Sequence, residues 1–251
     1  MTPEERTLLN RLKELSSRAD EQSVYTHTGF LTPAEQAFAA EHRSELALPP
    51  RPIGGFPEAE RVILQFGSPE EFGYEEEPPL ALLLAVPRQE KFAEEFSHRD
   101  ILGALMGSGI RRDQLGDILL EGTHAYIFCL DQIAEHLLQT VESFRHTPVR
   151  LQRLAELPPG IGVKLEAAEI VAASDRLDSI IGAAYHLSRA AAKELVQKEL
   201  AAIDGKLCTD PSRELHPADK ISVRGYGKLY YDGPLRETRS GRLRFAVRYF
   251  R

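Results

Sequence analysis

The sequence predicts an α+β protein built from more than one domain. Its 251 residues exceed what one compact domain usually needs, and 42% hydrophobic residues are enough for buried cores. Apolar residues recur at helical spacing in some segments and form strand-length runs in others. Two stretches rich in proline and glycine, 49–55 and 158–162, break the chain. We therefore predict three parts, at residues 1–55, 56–160 and 174–251.

The first part is predicted to be a small helical unit. Leucines recur at helical spacing in a predicted helix over residues 3–20, at Leu8, Leu9, Leu12 and Leu15. Thr32 before Pro33 is typical of a helix start, because threonine caps the first free amides and proline suits the first turn. A second helix is therefore predicted from residue 33 to about 45.

The middle part is predicted to mix strands and helices. Strands are predicted at 61–67, 80–86, 118–120, 125–130 and 149–154. Helices are predicted over 97–106, with Ser97 as cap, and from Asp131 to about Phe144. From residue 80 onward the order is β-α-β-β-α-β, which favours a ferredoxin-like or RRM-like domain.

Charge is distributed unevenly along the chain. The whole chain carries a net charge of -7, yet from Ser174 to Arg251 there are 15 basic and 10 acidic residues. A basic part on an acidic chain indicates the place where a polyanion such as RNA would bind. No apolar run is long enough to span a membrane, and the N-terminus has no signal-peptide pattern. The two cysteines, Cys129 and Cys208, fit no metal motif.

The basic part begins with two short predicted helices, the first with Ser174 or Asp175 as its expected cap. Ser188 is a good cap for the second helix, on which Arg189 and Lys193 lie one turn apart and present two cations together. Residues 201–207 read as strand, turn and strand, and residues 217–224 read as a polar turn that leads into an alternating strand. Residues 163–172, before the first helix, fit either a strand or a linker.

This part resembles the S4 RNA-binding domain. The motifs appear in the family's order: Arg176-Leu177-Asp178, Leu187-Ser188-Arg189, Lys193-x-Leu195-Val196, Asp204-Gly205, Asp210-Pro211-Ser212 and Asp219-x-Ile221-x-Val223-Arg224-Gly225. The sequence departs from the family at Glu199, where glycine is usual, and at Asp204, where asparagine is usual. Both departures place an acid near the expected RNA-binding face.

The middle part strengthens the resemblance. Ser97-His98-Arg99-Asp100, Gly109-Ile110-Arg111-Arg112 and Leu115-Gly116-Asp117-Ile118 resemble the YlmH family, which combines a small N-terminal domain, an RRM-like domain and an S4 domain. The resemblance covers the chain from about residue 60. It implies binding to the large ribosomal subunit and tRNA, and in bacteria a role with stalled nascent chains.

The candidate RNA-binding residues follow from these patterns and the resemblance. They are Arg176, Ser188, Arg189, Lys193, Lys198, Lys206, Arg224, Lys228, Arg99, Arg111 and Arg112. Arg176 fits an ion pair with Asp175 or Asp178 equally well. In the C-terminal tail, Tyr230 and Phe245 are expected to pack in a core. The tail arginines expected to contact phosphates are Arg236, Arg239, Arg242 and Arg244.

The sequence therefore predicts a non-enzymatic RNA-binding factor without catalytic residues, metal or cofactor. We expect a monomer in the cytoplasm, or in the plastid stroma for an organellar protein, with rRNA or tRNA of the large subunit as partner. Two alternatives stay open. One is an accessory of an RNA-modifying enzyme such as a pseudouridine synthase or rRNA methyltransferase, and the other is an S4-fold protein scaffold linked to cell division or photosystems.

Overall fold

A computed structural model describes residues 1–237 and 243–250 of the protein. Contacts divide the chain into two compact units, Met1–Gly162 and Val163–Arg251. Each unit contains both helices and antiparallel sheet, so the predicted α+β class is confirmed. The three predicted domain ranges stay predictions. Within the part of the chain that is described, no helix is long and apolar enough to cross a membrane.

The first unit opens with a helical layer on a small sheet. Its elements are α1 (Pro3–Gln22), β1 (Thr26–His27), α2 (Pro33–Glu41), β2 (Pro50–Ile53), β3 (Ile63–Phe66) and α3 (Pro69–Phe72). As predicted, the Thr32 hydroxyl accepts a hydrogen bond from the Glu35 amide and starts α2. The three strands form an antiparallel sheet in the order β1-β3-β2. Leu12 and Leu15 pack in the core beneath it.

The rest of this unit is a larger antiparallel sheet with two helices. Its elements are β4 (Leu80–Pro87), α4 (His98–Gly107), β5 (Leu115–Glu121), β6 (His124–Leu130), α5 (Asp131–Thr140), β7 (Ser143–Phe144) and β8 (Thr147–Leu154). The strand order is β5-β6-β4-β8-β7. One face of the sheet and both helices share a core that includes Leu83, Ile101, Leu105, Ile127 and Leu137.

The prediction that the helix from Asp131 continues to Phe144 is wrong. The helix ends at Thr140, and Ser143 and Phe144 pair with β8 instead. Phe144 is fully buried and packs edge-on against Phe96, with ring centroids 5.3 Å apart. This tertiary contact outweighs the local helical pattern, since burial of an aromatic ring is worth more than one further helical turn.

The second unit is a six-stranded sheet covered on one face by a helix pair. Its elements are β9 (Leu165–Ala172), α6 (Leu177–Ala184), α7 (Arg189–Gln197), β10 (Ala201–Ile203), β11 (Lys206–Leu207), β12 (Asp219–Val223), β13 (Gly227–Glu237) and β14 (Leu243–Phe250). The strand order is β11-β10-β12-β13-β14-β9, so residues 165–172 form a strand at the sheet's edge and not a linker. Ile180, Ile181, Val196 and Ile221 pack in the core between helices and sheet.

The tail aromatics divide between the two faces of this sheet. Phe245 is fully buried in the core, as predicted. The prediction for Tyr230 is wrong: it is only partly buried, and its neighbour Tyr231 occupies the core position. Because successive residues of a strand point to opposite faces, a shift of one residue in the register exchanges the faces on which the two tyrosines lie. On its own face Tyr230 packs against Phe250, with ring centroids 5.2 Å apart.

Candidate nucleic-acid interface

The start of α6 is held by a loop that comes later in the chain. The amide of Leu177 donates to the carbonyl of Arg213 at 2.9 Å, and the amide of Asp178 donates to the carbonyl of Pro211 at 3.0 Å. A side-chain cap from Ser174 or Asp175 is not present; the N-cap is Arg176, which makes no capping hydrogen bond with its side chain. The loop carbonyls take the place of that cap because they satisfy the helix's first amides.

Asp178 joins two arginines from different helices. Its side chain is 2% exposed, and it accepts hydrogen bonds from Arg176 Nε at 3.2 Å and from Arg189 Nε at 3.2 Å. The arginine side chains are 36% and 66% exposed, so both guanidinium groups keep N–H donors in contact with solvent. A buried carboxylate thus fixes two partly exposed cations side by side. Such a pair presents a fork of donors that suits a phosphate group.

The start of α7 adds a third cation. The Ser188 hydroxyl accepts a hydrogen bond from the Ala191 amide at 3.2 Å, as the sequence predicted, and so fixes the first turn of the helix. Ala192 and Val196 are buried, and Lys193 is exposed on the other side of the helix. Within residues 1–237 and 243–250, Lys193 makes no ion pair. An unpaired lysine beside a helix N-terminus is a ready anion contact.

These side chains surround one surface depression of about 520 Å³. We call it the α6–α7 surface; its lining residues are Arg176, Asp178, Arg189, Ala190, Lys193, Gln197, Pro211 and Ser212. Asp210, at the base of the adjoining loop, accepts hydrogen bonds from the amide and hydroxyl of Ser212. These bonds lower the pKa of Asp210 below its ordinary value and fix the turn from residue 210 to residue 212.

The other predicted cations of this unit lie elsewhere. Arg224 and Lys228 flank the turn between β12 and β13, and they line a separate groove of about 550 Å³. Lys206 opens β11 opposite Ile203. Lys198 ends α7 and pairs with Glu194, with Nζ 2.6 Å from the carboxylate. Of the seven cations in the predicted RNA-binding set of this unit, three therefore line the α6–α7 surface and two line this second groove, whereas Lys198 and Lys206 line neither.

The two departures from the S4 pattern have structural roles. Glu199 ends α7 with a left-handed backbone (φ 57°), the conformation for which glycine is usually chosen. Asp204 is also left-handed (φ 49°), and its carboxylate accepts a hydrogen bond from the Lys220 amide at 3.0 Å. Asparagine and aspartate tolerate this conformation well, so Asp204 serves the turn in the way that the usual asparagine would.

The predicted arginines of the first unit differ in what they contact. Arg112 donates from Nη1 to the carbonyls of Leu115 and Gly116, at 2.7 and 3.3 Å. Burial lowers the pKa of Arg112 below its ordinary value, and this side chain braces the start of β5. Arg111 pairs with Asp113 at 3.0 Å, whereas Arg99 is exposed in the first turn of α4. Of the three, Arg99 is the side chain best placed for an outside partner.

The sheet face away from α4 and α5 is covered by the chain itself. Phe56 stacks on Phe128 with ring centroids 5.2 Å apart, and Leu157 and Ile161 pack on the same cluster. Tyr126 and Phe128 are consequently only 6% and 3% exposed. Base stacking on these two rings, the mode by which an RRM sheet binds single-stranded RNA, is therefore blocked in this structure.

The structure describes two of the four predicted tail arginines. Arg236 is exposed, and Arg244 pairs with Glu169 at 2.8 Å. Arg239 and Arg242, also predicted to contact phosphates, lie outside the described residues. Gln197 and Tyr226 line the two depressions but were not among the residues predicted from the sequence, and the role of Asp178 was left open. The spacing of Arg176, Asp178 and Arg189 in the sequence was the signal from which the role of Asp178 could have been predicted.

The chain is similar to one family model and to two known bacterial proteins. Residues 77–156 match the family model of the RNA-binding domain inferred for YlmH. Ribosome-associated protein quality control protein P2 of Bacillus subtilis (strain 168) is 26% identical over 230 residues, which are 90% of this chain and 87% of that protein. The solved structure of cell division protein ylmH from Streptococcus pneumoniae is 20% identical, with a TM-score of 0.48 over 61% of this chain and 93% of that one.

Proposed function

We propose that the chain is a member of the YlmH family, which its similarity to the family model and to the Bacillus subtilis relative supports, and that it is a non-enzymatic RNA-binding factor of the large ribosomal subunit, of tRNA or of both. Its process would be the quality control of stalled nascent chains. The name of the Bacillus subtilis relative, which includes ribosome association and quality control, supports this assignment. We further propose that it acts as a monomer in the cytoplasm.

The observation that carries the proposal is the α6–α7 surface. Arg176 and Arg189 are held together by Asp178, and Lys193 lines the same depression. The three cations surround one depression, and two of them are paired with the same buried carboxylate. Such a cluster fits the phosphates of a folded RNA better than scattered surface charges would. Asp178 is the acid among the lining residues, and it is occupied by the two arginines.

We assign the second unit to the S4 fold. The helix pair α6 and α7 precedes an antiparallel sheet, and the motif residues lie at its functional points: Ser188 caps α7, and Asp204 lies in the turn between β10 and β11. We assign the sheet of the first unit to the RRM-like class. Its β4-α4-β5-β6-α5-β8 order and its β5-β6-β4-β8 strand arrangement support that assignment.

Salt dependence tests the proposed function. We expect the affinity of the purified chain for tRNA to fall steeply as salt rises, because each phosphate contact releases counterions. With about three phosphate contacts, log affinity should fall by about 2 to 3 per tenfold increase in salt. Filter binding or fluorescence anisotropy at several salt concentrations measures this slope. An affinity that is indifferent to salt would contradict the proposal.

A further inference from the structure

We propose that the turn between β12 and β13 binds an unpaired RNA nucleotide, with the base on Tyr226 and the neighbouring phosphates on Arg224 and Lys228. This inference rests on the proposed function and adds a chemical class of ligand to it. The α6–α7 surface offers three cations and no aromatic ring, which suits a phosphate backbone of any sequence. The β12–β13 turn offers an aromatic ring between two cations, which suits a base that has left its helix.

The Tyr226 ring is exposed and yet supported. It is 46% exposed, although tyrosine usually buries most of its ring where packing allows. From within the unit it is contacted by Tyr185, with ring centroids 5.6 Å apart and planes inclined by 50°. Tyr185 packs in turn against Tyr249, with centroids 6.3 Å apart. The ring therefore rests on a fixed aromatic base, which lowers the entropy that a ligand would have to remove.

The backbone keeps the space around the ring open. Gly225 and Gly227 flank Tyr226 with φ of +86° and +123°, a conformation that side-chain-bearing residues rarely adopt. Apart from the residues next to it in the chain, a Cβ added at either glycine would meet no atom within 4 Å. The turn is anchored by the Arg224 amide, which donates to the Leu200 carbonyl at 2.8 Å. A well-anchored turn with no side chain beside the aromatic ring leaves room for a flat ligand.

The charges next to the ring favour a nucleotide. Arg224 is exposed and makes no ion pair within the described ranges 1–237 and 243–250. It lines the same groove as Lys228, together with the 64% exposed side chain of Leu207. Glu199 is the acid among the lining residues, so cations outnumber acids by two to one. A protein partner would need an apolar patch of larger area, whereas one base and two phosphates match this set in kind and number.

Two RNAs and two variants of Tyr226 test the inference on the full chain. The probes are a hairpin RNA with an unpaired loop and a blunt duplex with the same stem, each followed by fluorescence anisotropy. Tyr226→Ala is expected to weaken hairpin binding about tenfold, in line with the usual value of one stacked base, and to leave duplex binding unchanged. Tyr226→Phe should retain the hairpin affinity, because the ring and not the hydroxyl group carries the contact.

The controls separate this inference from the proposed function. Tyr74→Ala removes a similarly exposed tyrosine, 43% exposed, from the other unit and should change neither affinity. If Tyr226→Ala binds the hairpin as well as the unchanged chain does, while Lys193→Glu weakens both RNAs, the inference is overturned and the proposed function stands. Unchanged RNA affinity with weaker binding to intact ribosomal subunits would indicate a protein contact and also overturn it. If the unchanged chain binds neither RNA, both proposals fail.

Discussion

Arg189→Gln combined with Lys193→Glu is expected to weaken tRNA and rRNA binding by about 100-fold or more. Two charge-assisted contacts are lost, each worth about 1.5–3 kcal/mol, and one new acid repels the phosphates. Glutamine is chosen at 189 because a glutamate there would place a second carboxylate beside the buried Asp178 and disturb the fold. Equilibrium binding at one moderate salt concentration measures the loss.

The control for the charge reversal is Arg18→Glu, which lowers the net charge by two, whereas the double variant lowers it by three. Arg18 is exposed on α1 in the other unit, and its replacement makes the same change of charge as Lys193→Glu. We expect the RNA affinity of this variant to stay within about twofold of that of the unchanged chain, because the charge of one distant, screened residue has little effect. Equal losses in the control and in the double variant would mean that net charge, and not the α6–α7 surface, determines RNA binding.

Asp178→Ala is expected to lower the free energy of unfolding by about 2 kcal/mol and to weaken RNA binding as well. Removing one partner of a buried ion pair costs about 3–5 kcal/mol, but the two arginines are partly exposed and can turn to water, which reduces the cost. Without the shared carboxylate the two guanidinium groups repel each other and lose their common orientation. Chemical denaturation and RNA titration of the same preparation measure the two effects.

A conservative variant distinguishes positioning from folding. Asp178→Asn keeps an oxygen that can accept one hydrogen bond, so it should recover part of the stability, but without the charge the two arginines are no longer neutralised. We expect its RNA affinity to stay below that of the unchanged chain. Asp175→Ala, three residues before Asp178, serves as the neighbouring control. If Asp178→Ala unfolds at the same denaturant concentration as the unchanged chain, the ion pairs of Asp178 contribute nothing to the stability of the fold.

Local signals in the sequence predicted most elements of the fold. The cap residues Thr32, Ser97 and Ser188 begin helices where the pattern places them, because capping depends on side chains within three residues. The spacing of Arg189 and Lys193 also placed both cations correctly on the exposed side of α7. In these cases the residues that determine the structure are neighbours in the chain.

What failed depended on residues far apart in the chain. The helix end at Thr140 is set by the packing of Phe144 on Phe96, and the start of α6 is capped by carbonyls from residues 211 and 213. The covering of Phe128 by Phe56 bridges more than 70 residues, so no periodicity could reveal that the sheet face is closed. The exchange of Tyr230 and Tyr231 is a register effect, which two adjacent tyrosines leave undetermined.

We propose above all that this chain binds the large ribosomal subunit through the α6–α7 surface. Co-sedimentation of the purified chain with large and small ribosomal subunits, beside the Arg189→Gln/Lys193→Glu variant, tests it most directly. We predict that the unchanged chain sediments with the large subunit at low salt, that binding falls at higher salt, and that the variant stays in the supernatant. Equal binding of the variant, or no sedimentation of the unchanged chain with the large subunit, would contradict the claim.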